Sequence, residues 1–179
     1  MMHEATGAER ERLVSDLMET VPVAEGRFGE WRKRLQALPS NYVVPEVRKC
    51  VKFCSPGPHV ILHVICIGRF TQEEEQVHQL ITEIFGLKAK NYIILLFTHK
   101  EYLESESIEN FISTQDKKLQ QYAAECGNRF LAFNNKAEGA EREAQVAELM
   151  TMIDCLVETN RDAPYYTEEM MSFNKRRKF

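Results

Sequence analysis

The 179 residues carry 44% apolar and 28% charged side chains, enough apolar material to build one packed core in a water-exposed globular chain. A formal net charge of -4 leaves no overall basic field for a nucleic acid, and the longest apolar runs, such as 60–67, are far too short to cross a bilayer. The charged N-terminus (Glu4, Glu9, Arg10, Glu11) and five cysteines without a C-x-x-C pair point to reduced thiols, no transmembrane segment and a cytoplasmic location.

Residues 1–44 differ in character from the rest of the chain. Leu13, Val14, Leu17, Met18 and Val21 fall at helical spacing, and Phe28, Trp31, Leu35 and Leu38 do so again. Pro22, Gly26 and Gly29 separate the two stretches, and Pro39-Ser40 closes the second. The expectation is a helical N-terminal segment whose narrow apolar stripes need a surface to dock on. A further helix, about Pro45 to Phe53, ends at Ser55-Pro56-Gly57-Pro58. Across this turn Cys50, Cys54, His59 and His63 have the spacing C-x3-C-x4-H-x3-H. A zinc finger needs about a dozen residues between its cysteine and histidine pairs, so structural roles are expected for these four.

From His59 to Ile67 the chain is rich in β-branched residues and almost free of polar ones, as in a strand covered on both faces. Thr71 and Glu74 make a capping box, and Glu73-Glu74-Glu75 suits the first turn of the helix after it. Val77, Leu80, Ile81, Ile84 and Phe85 form its apolar face, and Gly86 stops it. A second buried strand is expected over Tyr92 to Thr98. Helical stretches then contain Ile108, Phe111 and Ile112, and next Leu119, Tyr122 and Ala123. A third strand, Arg129 to Phe133, ends at Asn134-Asn135. The last long helix puts Val146, Leu149, Met150, Ile153, Leu156 and Val157 on one face.

Strands alternating with helices make a parallel sheet with helices on its faces, and ligands bind such sheets outside the carboxyl ends of the strands. Two polar loops leave those ends, Thr98-His-Lys-Glu101 and Asn134-Asn-Lys-Ala137. On spacing alone these are an α/β domain and a possible site, or ordinary loop residues.

The order of the motifs carries more. Ser55-Pro-Gly-Pro-His59, Gly68-Arg-Phe-Thr71-x-x-Glu74, Leu96-Phe-Thr-His-Lys-Glu-Tyr-Leu103, Cys126-Gly-x-Arg-Phe130, Phe133-Asn-Asn-Lys-Ala137, Gln145-Val-x-x-Leu149 and Pro164-Tyr165 succeed one another along the chain. Together they resemble the later motifs of the immunity-associated GTPases, the GIMAP or AIG-type family, over roughly two-thirds of the sequence. The resemblance implies a partial P-loop NTPase G domain at 45–170, with a three-stranded parallel sheet and flanking helices. Residues 1–44 would form a divergent helical segment and 171–179 a basic tail. It implies guanine recognition by Thr98, His99, Lys100 and Glu101 and by Asn134 and Asn135. Glu101 takes the role of the carboxylate that accepts from guanine N1 and N2, a donor pair adenine does not offer. His99 stands where most GTPases place a lysine beside the base, and the two asparagines would supply amide contacts near the base carbonyl.

The phosphate machinery implied by the same resemblance is not found in these residues. A P-loop reads G-x-x-x-x-G-K-[ST], and no glycine here is followed by Lys-Ser or Lys-Thr. None of Asp16, Asp116, Asp154 or Asp162 has glycine three residues on, so there is no D-x-x-G, and Gly26 and Gly29 follow no buried strand. Binding of GTP or GDP is therefore expected to be weak or lost, without Mg²⁺ and without hydrolysis. An alternative is a non-enzymatic module that associates with itself or with family members, since the run 60–67 would lose one family neighbour and become a sheet edge. A truncated or alternatively spliced product is one source of such a chain. The cluster Lys175-Arg-Arg-Lys178 is expected to be a solvated tail.

Overall fold

The computed structural model describes residues 54, 56–67, 81, 82 and 84–173. The two expected N-terminal helices, the helix reaching Phe53, the Thr71–Glu74 box, the acidic run beside it and the Lys175–Lys178 cluster lie outside the described residues.

Three strands form one parallel sheet in the order β1-β2-β3: β1 (Ile61–Cys66), β2 (Ile93–Thr98) and β3 (Phe130–Phe133). Ile61 pairs with Ile93 and Cys66 with Thr98, while Leu95 pairs with Phe130 and Thr98 with Phe133. The expected α/β architecture with a three-stranded parallel sheet is the one observed. All six residues of the central strand are buried, as a strand with helices on both faces requires.

Strand alternation divides the core in two. Ile93, Leu95 and Phe97 join Ile65, Ile112, Leu119, Tyr122 and Tyr166 on one face, and Ile94 and Leu96 join Leu131, Phe133, Val146, Leu149 and Leu156 on the other. The first face is covered by α1 (Ile108–Thr114) and α2 (Lys117–Glu125), the second by α3 (Gly139–Thr159). Each short helix starts where a side chain satisfies a free N–H. Ser107 Oγ accepts from Asn110 N at 3.2 Å, and Asp116 Oδ1 accepts from Lys118 N at 2.8 Å. At the end of α2, Gly127 at φ 68° and Asn128 at φ 52° reverse the chain, with Asn128 N donating to Ala123 O at 2.8 Å. Arg129 then braces the strand starts, donating from Nε to Ile93 O and from Nη2 to Lys90 O.

Three elements have no counterpart in the sequence pattern. Leu87–Tyr92 and Lys100–Leu103 are short 3-10 helices, and α4 (Glu168–Phe173) runs across the boundary expected between domain and basic tail. The segment entering α4 is tied down: Tyr166 is fully buried, donates its backbone N–H to Pro58 O at 2.9 Å and its hydroxyl to Phe85 O at 2.5 Å. Of the four residues with metal-finger spacing, His59 stacks edge-on against Tyr165, whereas the buried His63 shares a 2.9 Å hydrogen bond with the Tyr122 hydroxyl. Cys54 is exposed, and Cys50 lies outside the described residues.

Candidate functional site

Thr98 and Phe133 are register partners and the last residues of β2 and β3, so the two polar loops leave the sheet side by side. Thr98 is buried and its carbonyl accepts from Ile67 N at 3.1 Å, which joins the end of β1 to the same rim.

Past Thr98 the chain turns sharply. His99 sits at φ 63° and ψ 44°, a left-handed conformation uncommon for a residue with a side chain. Tyr102 N donates to His99 O at 2.9 Å to close the turn, and buried Leu103 anchors it in the core. Glu104 is again left-handed at φ 53°. Two such residues in six store backbone strain of a kind that clusters at functional sites. Lys100 is exposed on this turn.

The turn places Glu101 with its side chain only 20% exposed. Its Oε1 lies 3.4 Å from His99 Nδ1 and 3.7 Å from Lys136 Nζ, the latter delivered from the β3 loop. Its Oε2 is buried and has no hydrogen-bond partner among the described residues. Burial pushes the carboxyl pKa up, but its own backbone N–H, the His99 hydrogen bond and the charges of His99 and Lys136 outweigh it, and the net shift is downward. The group is a carboxylate at neutral pH, acceptor-only, with one oxygen unused.

The second loop is fastened from α3. Gln145, buried on that helix, accepts from Asn134 N with Oε1 at 2.6 Å and donates from Nε2 to Asn134 O at 3.4 Å. Asn134 Oδ1 accepts from Lys136 N at 3.0 Å and Nδ2 donates to Glu141 Oε1 at 3.2 Å, so this amide shapes the loop that carries Lys136. Asn135 is half-buried beside it. The structure thus brings Thr98, His99, Lys100 and Glu101 to one rim with Asn134 and Asn135.

Lys136, Gln145 and Tyr102 belong to the same rim but were not among the expected site residues. All three lie within the motifs that carry the family resemblance. Gln145 carried a signal, a polar residue next to Val146 and four before Leu149 on an apolar helix face. Tyr102 is 61% exposed, and its ring lies parallel to that of His99 with centroids 5.0 Å apart and 9° between planes.

The family model of the AIG1 family matches residues 36–178, the whole of this rim included. The chain belongs to the AIG1 family. It is 35% identical over 121 residues to human GTPase IMAP family member 8, covering 67% of this chain and 18% of that protein. It is 32% identical over 136 residues to Arabidopsis thaliana immune-associated nucleotide-binding protein 8, covering 73% of this chain and 38% of the plant protein. Immune-associated nucleotide-binding protein 9 of the same plant is 29% identical over 133 residues, covering 72% of this chain and 39% of that relative. The AIG1-family chain therefore spans well under half the length of these relatives. Among its described residues no helix is long and apolar enough to cross a membrane.

Proposed function

We propose that this AIG1-family chain recognises the guanine ring through the two loops at the carboxyl ends of β2 and β3. One observation carries the reading: the Glu101 carboxyl has its pKa held low, its Oε1 lies beside His99 and Lys136, and its buried Oε2 has no hydrogen-bond partner among the described residues. A buried acceptor left unmade costs about 1–3 kcal/mol or more, and an arriving pair of N–H donors relieves that cost. Guanine N1 and N2 are such a pair; adenine has none there, since its N1 is an acceptor and its C2 carries only hydrogen. The relatives' names, a GTPase and nucleotide-binding proteins, agree with this ligand class.

Binding is weak and hydrolysis absent in this reading, because no residue of the 179 forms a P-loop or a D-x-x-G motif to hold phosphates and Mg²⁺. The test is calorimetric titration with GDP, IDP and ADP. GDP binds in preference to both, since hypoxanthine lacks N2, and Glu101→Ala abolishes the preference. Equal binding of ADP and GDP, or an unaltered Glu101→Ala, defeats it.

A second reading, association with itself or with family members, draws on β1. Among the described residues this strand pairs with β2 alone, and Val64 on it is 37% exposed. An apolar edge strand of this kind pairs readily with another sheet. In this reading the wild-type chain self-associates on sizing and Val64→Lys reduces the association. A wild-type chain monomeric at high concentration excludes it.

A further inference from the structure

We propose that Tyr102 is the stacking surface of the base site, and that the ring of the nucleobase, rather than its phosphates, supplies most of the binding. This rests on Glu101 as the reader of guanine and adds to it a contact and a ligand class.

Tyr102 is one of three large apolar side chains that stand exposed among the described residues, with Val64 and Leu87. Unlike an incidental surface tyrosine, it is held in place. One face of its ring lies flat on His99, 5.0 Å between centroids and 9° between planes, and the rest faces solvent. The backbone beneath is fixed by the Tyr102 N to His99 O bond, by buried Leu103 and by left-handed residues at 99 and 104. A pre-ordered aromatic face loses little entropy on meeting a second ring.

Glu101, one residue before Tyr102, brings the unpartnered Oε2 to the same turn. An exposed aromatic face on the same short turn as a carboxylate suits a flat heterocycle that carries N–H donors along one edge. A guanidinium from an arginine peptide has the same outline. It would, however, meet Lys136 3.7 Å from Oε1 and exposed Lys100 on the same turn, so a neutral ring fits the local charge better. Stacking on an aromatic side chain needs no phosphate contact, and every purine has a face to offer. The two residues therefore divide the work: Tyr102 holds a purine and Glu101 selects guanine.

The experiment is titration of the full chain with guanosine, GDP, adenosine and an arginine-containing peptide, for wild type, Tyr102→Phe, Tyr102→Ala and Glu101→Gln. Because Tyr102 is exposed and Glu101→Gln keeps the size and shape of the side chain, circular dichroism should show all variants folded. The expected result is guanosine within about threefold of GDP, full affinity in Tyr102→Phe, and about a tenfold loss for both purines in Tyr102→Ala. The guanosine-over-adenosine ratio survives Tyr102→Ala and disappears in Glu101→Gln. Unchanged affinity in Tyr102→Ala, with the ratio still lost in Glu101→Gln, overturns the stacking role and leaves base reading standing. GDP binding far tighter than guanosine overturns the ring-driven affinity. Binding of the peptide but of no purine, or no saturable binding at all, overturns both.

Discussion

Lys136, in the loop after β3, places its ammonium 3.7 Å from Oε1 of Glu101, in the turn after β2. Two loops far apart in sequence meet at one carboxylate. The Lys136 side chain is itself 77% exposed, so the pair contributes little to stability, about 0–1 kcal/mol. Its consequence is electrostatic: after the Glu101 backbone N–H and His99, its charge adds a smaller pull that favours the ionised form of a largely buried carboxylate.

The sign of that shift dictates a pH profile. Glu101 must be ionised to accept from guanine, and its pKa lies below the ordinary carboxylate value of 4.5. Guanosine affinity should be flat from neutral pH down past 4.5 and fall only below it. Lys136→Ala removes one stabilising charge, so its loss of binding should begin at higher pH, with folding stability changed by less than about 1 kcal/mol. Titrations at several pH values measure both, and coincident profiles for the two proteins would disprove the coupling.

Gly57 tests the packing that closes the fold. A Cβ at this position would meet the carbonyl oxygen of Tyr166 at 2.3 Å and its carbon at 2.8 Å, both backbone atoms. Gly57→Ala must push the 163–171 segment away, straining the Tyr166 N to Pro58 O bond and the Tyr166 hydroxyl to Phe85 O bond. Overpacking of this kind costs about 1–3 kcal/mol. Tyr166→Phe removes only the hydroxyl contact and should cost about 1 kcal/mol. Urea denaturation gives both values, and a neutral Gly57→Ala would mean that the closing segment yields easily to a methyl group.

Cys126 supplies a pH prediction on the other side of neutrality. Burial pushes its thiol up to about 11, against the pull of Arg129 and Lys90. In the unfolded chain it ionises near the ordinary value of about 9. Between these values the unfolded chain has released the proton and the folded one has not, so rising pH favours unfolding. The contribution is intact below pH 9 and gone by pH 11, on the order of 2 kcal/mol. Cys126→Ala should lessen the fall of stability between pH 9 and 10, above which buried Tyr122, its hydroxyl pKa also raised from the ordinary 10, adds a fall of its own. A thiol reagent at pH 8 should modify exposed Cys54 and Cys155 and leave Cys126 untouched until the protein unfolds. Rapid labelling of Cys126 in the folded protein would contradict its burial.

The sheet was legible because its strands are apolar at nearly every position. Ile93 to Thr98 could only be buried on both sides, and turn residues bounded it clearly. The long helix was legible from its 3.6-residue stripe. The 3-10 turns were not, because neither has a period to show: Lys100–Leu103 is held by a strained backbone at His99 and by one buried leucine. The site divided in the same way. Motif spacing located the loops, but that Lys136 would face Glu101, or that Tyr102 would lie on His99, depends on side-chain directions set by left-handed residues. His63 shows the limit from another side. A histidine amid β-branched residues fitted a structural role without revealing Tyr122, which comes from α2 across the core.

Gln145 should act on the site without touching a ligand. It is buried on α3 and holds both backbone polar groups of Asn134, while Asn134 Oδ1 in turn fixes the N–H of Lys136. Gln145→Ala leaves Asn134 N without its 2.6 Å acceptor, a loss of about 1–3 kcal/mol in stability if water cannot replace it. The freed loop should carry Lys136 away from Glu101, so guanosine affinity falls several-fold while preference over adenosine persists, because Glu101 is still present. The acid limb of binding should also move toward ordinary carboxylate behaviour, as in Lys136→Ala. Gln145→Glu keeps the acceptor for Asn134 N but loses the donor to Asn134 O, and should fall between wild type and Gln145→Ala. A purely structural glutamine would lower the melting temperature in both variants and leave affinity and pH profile alone. That outcome would detach the β3 loop from base recognition and confine the site to the turn after β2.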